Sequence, residues 1–265
     1  MASTTQIVTA QEETSVRLLY EDRQVAETYI RQRFGHAWGQ LLHQKQAAGI
    51  NKVIKESRPE SILEIAPGPA RLATDLAGVT RGLMLDNSAA MLALARRRLQ
   101  DAGLSHLWDV EQGNAFELEK LGDRFHFVFT FRFIRHFRLK ERARLYRGIH
   151  ECLQPGGLLM FDVVNQTVRD NLDARQPQKP PGELDVYDET YSATSFNREM
   201  ESYGFKVLQL TPVLNHFFLQ SWISNRLGYR LPKASFALVR SLEMMPSQEP
   251  LEWIALCQKI SPTKG

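Results

Sequence analysis

The sequence predicts an α/β protein, a doubly wound and mostly parallel sheet with helices on both faces. Three observations predict it. Short apolar runs alternate with amphipathic stretches of 10–15 residues from position 61 to about 164. The run Ser61-Ile62-Leu63-Glu64-Ile65-Ala66 closes on a carboxylate and enters a turn around Gly68. A second acid, Asp86, ends the next apolar run, Gly82-Leu83-Met84-Leu85, about 20 residues on.

The elements follow in order. Residues 1–14 are polar and read as a loose terminus. Residues 15–57 have helical spacing, through Val25, Tyr29 and Phe34 and then Leu41, Leu42, Val53 and Ile54, and read as a helical cap closed by Pro59. After strand 61–66, Pro69 suits a first helical turn and Leu72–Leu76 continue it as a helix. A strand at 82–86 and a helix with Leu92, Ala95 and Leu99 on one face come next. Residues 107–111 read as a short strand, and 125–131, dense in aromatic and β-branched residues, as a central one. Lys140–Leu153 is amphipathic, and Pro155-Gly156-Gly157 turns into the apolar strand 158–164. Residues 176–182, with three prolines, form an extended loop; 192–203 read as a helix and 205–210 as a strand. An aromatic-rich insertion, 213–245, precedes a last strand at 253–257. No internal repeat breaks the chain, so 15–265 reads as one domain: cap 15–57, core 60–166, and substrate-side and C-terminal strands 167–265.

Bulk properties narrow the function classes. A net charge of +3 over 265 residues gives no footprint for nucleic acid. The arginines at 96–98 and between Arg138 and Arg147 fall on helices and read as solvated faces. Cys152 and Cys257 stand far apart and outside any paired-cysteine motif, which fits buried inert thiols and no metal site. No run of 18 apolar residues occurs and Met1–Gln6 lack a leader pattern, so the expectation is a cytoplasmic protein without a membrane span.

Two acids carry the chemistry. Gly68 can take a backbone conformation closed to other residues and let a ligand approach closely. Glu64, ending an apolar strand, needs a partner, and a ligand ammonium would serve; a buried acid in an ordinary turn is the alternative. Asp86 can accept from two vicinal ribose hydroxyls, or it can belong with Asn87 and Ser88 to a helix cap.

The order of Leu63–Arg71, Leu85-Asp86-Asn87-Ser88, Gly113-Asn114-Ala115, Phe127–Phe129 with Ile134–Phe137, and Leu153–Leu158 resembles class I S-adenosylmethionine-dependent methyltransferases. The small-molecule branch of quinone biosynthesis is the nearest in shape, over residues 20–165. The resemblance implies a Rossmann-like seven-stranded sheet ending in a reversed hairpin, here Phe205–Leu210 with Trp253–Cys257. It also implies S-adenosyl-L-methionine as cofactor. Glu64, Ala66, Pro67 and Gly68 would then hold the methionine portion and Asp86 the ribose, with Asn87 also among the cofactor-binding residues. Asn114 and Ala115 would meet adenine, Thr130, Phe131 and Arg132 would lie beside the sulfonium, and Tyr29 would be a lid. The family's three glycines are reduced to Ala66, Gly68 and Ala70. An added methyl is tolerable where φ is negative and costly where it is positive.

The implied reaction is methyl transfer to a small hydrophobic or aromatic acceptor by in-line displacement, achieved mainly by proximity and orientation. His136 is the candidate base, with backbone bonding in a β–α loop as its alternative. Asn/Asp-Pro-Pro-Tyr and Pro-Cys motifs are absent, which disfavours nucleobase methylation; Thr130-Phe131-Arg132 offers no carboxylate for a catalytic magnesium. The aromatic residues of 214–229 read as a cover over a pocket, with plain core or a homodimer contact as alternatives. A fold that binds ligand without methylating is the competing function. A dehydrogenase is disfavoured, since G-x-G-x-x-G is missing.

Overall fold

In the computed structural model, residues 30, 34–121, 125–175, 187–247 and 249–260 are described. The N-terminal stretch 1–14, Tyr29 and the proline-rich loop 176–182 fall outside them. Eight strands form one sheet: β1 (Ile62–Ile65), β2 (Gly82–Asp86), β3 (Trp108–Gln112), β4 (Phe125–Thr130), β5 (Leu153–Asn165), β6 (Thr190–Tyr191), β7 (Phe205–Val213) and β8 (Glu252–Lys259). Seven run in the order β3-β2-β1-β4-β5-β8-β7, and β6 adds a parallel pair to the end of β5. Within β1 to β5 all pairings are parallel, while β8 is antiparallel to both β5 and β7. The doubly wound sheet with a reversed final strand is therefore as the sequence predicts.

Alternation along each strand divides the core in two. Ile62, Met84, Phe127, Phe129, Met160 and Ile254 pack on one face with helices α1 (Ala37–Ser57) and α2 (Ala89–Asp101). Leu63, Leu85, Val128, Leu159, Phe161 and Cys257 pack on the other with α3 (Leu139–Cys152) and α5 (Ala193–Ser202). Each such side chain, fully buried, contributes about 1.5–3 kcal/mol. α4 (Gln166–Arg175) follows β5 directly. Both cysteines are buried, and burial pushes the Cys257 thiol well up.

Local chemistry sets the helix ends. His36 Nδ1 accepts from the Gly39 N–H at 3.0 Å to start α1, which stops at left-handed Arg58 before Pro59. Ser88 Oγ accepts from the Met91 N–H at 3.2 Å to start α2. Ser192 and Ser195 form a reciprocal capping box on α5.

Two expectations are corrected. No helix follows Pro69: residues 68–72 are turns and only Ala73–Asp75 make a single 3₁₀ turn. Ala70 at φ 53° cannot enter a right-handed helix. Arg71 is held elsewhere, donating to His43 Nδ1 at 2.5 Å and Gln46 Oε1 at 2.6 Å while stacking on Phe34 at 3.8 Å. Second, Arg142 is buried rather than on a solvated face, bonded to Glu189 and, at 3.0 Å, to Glu199. The 213–245 insertion is largely helical, α6 (Phe217–Leu227) and α7 (Pro232–Glu243), and both helices pack on α1.

Candidate active site

The site is built at the carboxyl ends of the parallel strands, where open α/β sheets bind ligands. Glu64 is the next-to-last residue of β1, 3% exposed, on the α1 face. Its Oε2 has no hydrogen-bond partner among the described residues. Burial raises its carboxyl to about 8, with Arg71 opposing the rise and Asp86 adding to it. An acid so placed stays protonated near neutrality unless a cation arrives.

Beyond it the backbone zigzags. Ala66, Gly68 and Ala70 take φ values of 53°, 57° and 53°, alternating with Pro67 and Pro69. The alanines thus occupy the costly case, each at about 1–2 kcal/mol above a relaxed residue. Ala66 also precedes a proline, which narrows its choices further. The Ala66 N–H donates to Leu85 O at 2.8 Å and the Gly68 N–H to Asp86 Oδ2 at 3.0 Å. A Cβ built on Gly68 would meet nothing nearer than Met91 Sδ at 4.0 Å, so the space over the turn is open.

Asp86 stands at the end of β2, half-buried, with Oδ1 accepting from the Ser88 N–H at 2.9 Å. Burial raises its carboxyl, and bonds from the Ser88, Gly68 and Asn87 N–H groups oppose that. Ser88, not Asp86, caps α2. Asn87 is exposed, its carbonyl accepting from Gln112 Nε2 at 3.0 Å. Asn114 is exposed too, with Oδ1 accepting from the Phe116 N–H at 3.0 Å; this opens the 3₁₀ segment Ala115–Leu121, in which Ala115 is half-buried.

At the end of β4, Thr130 is buried and its Oγ1 has no partner among the described residues. Phe131 is buried, and Arg132 is left-handed, φ 58°, with its N–H donating to Asp162 Oδ1 at 2.7 Å. Phe133 and Phe116 each meet Phe137 edge-on, at 5.0 and 5.2 Å. His136 Nδ1 lies 2.9 Å from Tyr187 O and 3.0 Å from Asp188 Oδ1. Both groups accept, so Nδ1 is a ring nitrogen that carries a hydrogen.

Sequence reasoning missed a buried charge cluster on the same edge. Arg135 donates to Asp162 Oδ2 at 3.0 Å, Glu252 Oε2 at 3.1 Å and Asp188 Oδ1 at 2.7 Å. Burial, with Asp162 close by, pushes the Glu252 carboxyl to about 7, against the pull of Arg135. Arg135 and His136 hold Asp188 well below the usual carboxylate range despite burial. One signal was available: Asp162 interrupts the apolar run Leu158–Val164. Of the aromatic cover, Phe217 meets Trp38 edge-on at 5.6 Å, whereas Trp222 and Tyr229 are exposed.

Residues 62–157 match a family described as a methyltransferase domain. No curated protein matches the chain. Among solved structures, the [4+2]-cyclase SpnF is similar at a TM-score of 0.63 and 16% identity, over 92% of this chain and 96% of that one. A magnesium protoporphyrin IX methyltransferase from Synechocystis, solved with bound SAH, is similar at 0.62 and 10%, over 93% and 99%. An S-adenosylmethionine-dependent methyltransferase from Clostridium acetobutylicum is similar at 0.57 and 11%, over 83% and 92%. At these identities the likeness is one of fold. The chain has the Rossmann-like fold of the class I methyltransferases, and its residues 62–157 match a methyltransferase domain.

Proposed function

We propose that the protein binds S-adenosylmethionine at the Glu64–Gly68 turn and transfers its methyl group to a small apolar or aromatic acceptor. The observation that carries this reading is the buried Glu64 carboxyl, with one oxygen unpartnered, beside an open turn at the strand ends. The residues fit the cofactor's chemistry: Glu64 would take its ammonium, and the turn 66–68 would line its methionine portion. Asp86, after its bonds from the Gly68, Asn87 and Ser88 N–H groups, keeps acceptor capacity for a ribose hydroxyl. Asn114 and Ala115 would flank the adenine, and Asn87, next to Asp86, would also border the cofactor. Tyr29, as a lid, rests on the sequence alone. When bound, the cofactor supplies a methyl group on a positively charged sulfur, an electrophile for in-line displacement.

The chain's own work is to position and to exclude water. Thr130, Phe131 and Arg132 would border the reacting group, and the Phe116–Phe137–Phe133 cluster favours an aromatic acceptor of the kind met in quinone biosynthesis. His136 would take a proton at Nε2 from a hydroxyl acceptor, its ring oriented by Asp188 and the Tyr187 carbonyl.

One observation favours a second reading, ligand binding without methylation. The alanines at left-handed positions 66 and 70 depart from the family's glycines, and a structural neighbour is a cyclase. Incubation with S-adenosylmethionine and a panel of apolar phenols and hydroquinones separates the two. Demethylated cofactor released with a methylated acceptor supports methyl transfer; saturable binding without turnover across the panel supports the second reading.

A further inference from the structure

The α6–α7 hairpin presents a surface that the methyl-transfer reading does not use. β7 ends at Val213 and β8 begins at Glu252, and both lie level with Val164 near the end of β5. The insertion therefore leaves and rejoins the sheet at its carboxyl edge, the edge of the candidate active site. Its inner side packs on α1 through Ile223, Phe236 and Val239. The outer side is different. Trp222 is 60% exposed and Tyr229 97%, and Leu219, Leu231, Leu238 and Met245 are exposed with them.

Leu219, Trp222 and Arg226 recur along one face of α6. On α7, Leu238 stands on one flank of the exposed side and Lys233 with Arg240 on the other, with Leu231 and Met245 just beyond the two helix ends. Arg226, Arg230, Lys233 and Arg240 are all exposed. Between Leu214 and Met245 the sequence holds a single acid, Glu243. That acid is buried, accepting from the N–H groups of Leu214 and Asn215 and from Gln220. The exposed side thus combines apolar and aromatic groups with cations of one sign.

We propose that this face of the α6–α7 hairpin docks the protein on an anionic lipid surface. Trp and Tyr favour the boundary between headgroup and hydrocarbon, and Lys and Arg reach back to lipid phosphates along apolar stems. Among the described residues no helix is long and apolar enough to cross a bilayer, so the hairpin lies on the surface rather than spanning it. A second copy of the chain is a poor occupant, because a two-fold contact through this face sets cations against cations. Docking would turn the sheet's carboxyl edge toward the membrane, where an apolar acceptor concentrates.

Flotation of the full chain with vesicles of phosphatidylcholine, with and without about 30% phosphatidylglycerol, tests this. The expected result is binding at least about tenfold stronger to the anionic vesicles, weakened by added salt. The triple variant Arg230→Gln, Lys233→Gln, Arg240→Gln should lose about 100-fold, at about fivefold per charge. The pair Trp222→Ser, Tyr229→Ser should also release the protein, and Trp222→Phe should abolish a blue shift of tryptophan emission on binding. All these side chains are exposed, and unchanged circular dichroism and Tm confirm the fold. No vesicle binding at low salt, equal binding to neutral vesicles, or binding that survives both variants would overturn the proposal. So would binding to nucleic acid or an acidic protein, or self-association through this face, without vesicle binding. A negative result leaves cofactor binding, measured separately, untouched.

Discussion

Asp86 reaches back across the end of the sheet to accept the backbone N–H of Gly68 at 3.0 Å, joining β2 to the turn that follows β1. Its other oxygen accepts from Ser88 at the start of α2. One carboxylate thus fixes two segments of the proposed cofactor site before any ligand arrives. Asp86→Ala should weaken S-adenosylmethionine binding by about 1.5–3 kcal/mol, as for a hydrogen bond to a charged group, and lower Tm as well. Calorimetry alongside thermal unfolding measures both; a lowered Tm with unchanged affinity would reduce Asp86 to a structural role.

Ala66 and Ala70 invite the opposite change. Both have φ 53°, where glycine is at ease. Ala66→Gly and Ala70→Gly should each stabilise the fold by about 1 kcal/mol, raising Tm by about 2–4 °C. Loss of stability in both variants would contradict backbone strain at these two positions.

The two raised carboxyls give a pH dependence with a definite sign. Glu64 at about 8 and Glu252 at about 7 bind protons in the folded chain that the unfolded chain releases near 4.5. Their contribution to stability is full below about pH 4.5 and falls as pH rises, through about 7 for Glu252 and about 8 for Glu64. Denaturant melts from pH 5 to 9 should show that decline, and Glu64→Gln should flatten its upper part. A Glu64→Gln profile parallel to that of the unmodified protein would contradict the assignment.

Arg142 and Arg147 sit on the same helix and should behave differently. Arg142 is buried between Glu189 and Glu199, while Arg147 is exposed. Removing the former leaves buried charge uncompensated, at about 3–5 kcal/mol; removing the latter should cost under about 0.5 kcal/mol. Urea unfolding of Arg142→Ala and Arg147→Ala reads the difference directly, and equal losses would refute it.

Much of this was legible in the chain. Alternating apolar runs reported the strands, because a strand buried on both faces must be apolar throughout, and Glu64 and Asp86 stood out as acids ending such runs. What escaped has a physical cause. Leu72–Leu76 have good helix propensity, but Ala70 and the Arg71 contacts to His43 and Gln46 hold that backbone in a turn, and those partners lie 25–28 residues away. Arg135 and Arg142 look like any surface arginine locally; their acids come from segments 27 to 117 residues distant. The aromatic insertion gave its composition but not its direction, since burial of Ile223 and exposure of Trp222 depend on where α1 lies.

The Glu64–Gly68 turn and Asp86 together make the proposed site for S-adenosylmethionine. Titration calorimetry of the full chain with S-adenosylmethionine, beside the Asp86→Ala variant and with NAD as a control, tests it most directly. Saturable binding tighter than about 1 mM, or about −4 kcal/mol, weakened in the variant and absent for NAD, is expected. No saturable heat with S-adenosylmethionine up to millimolar concentration would contradict it.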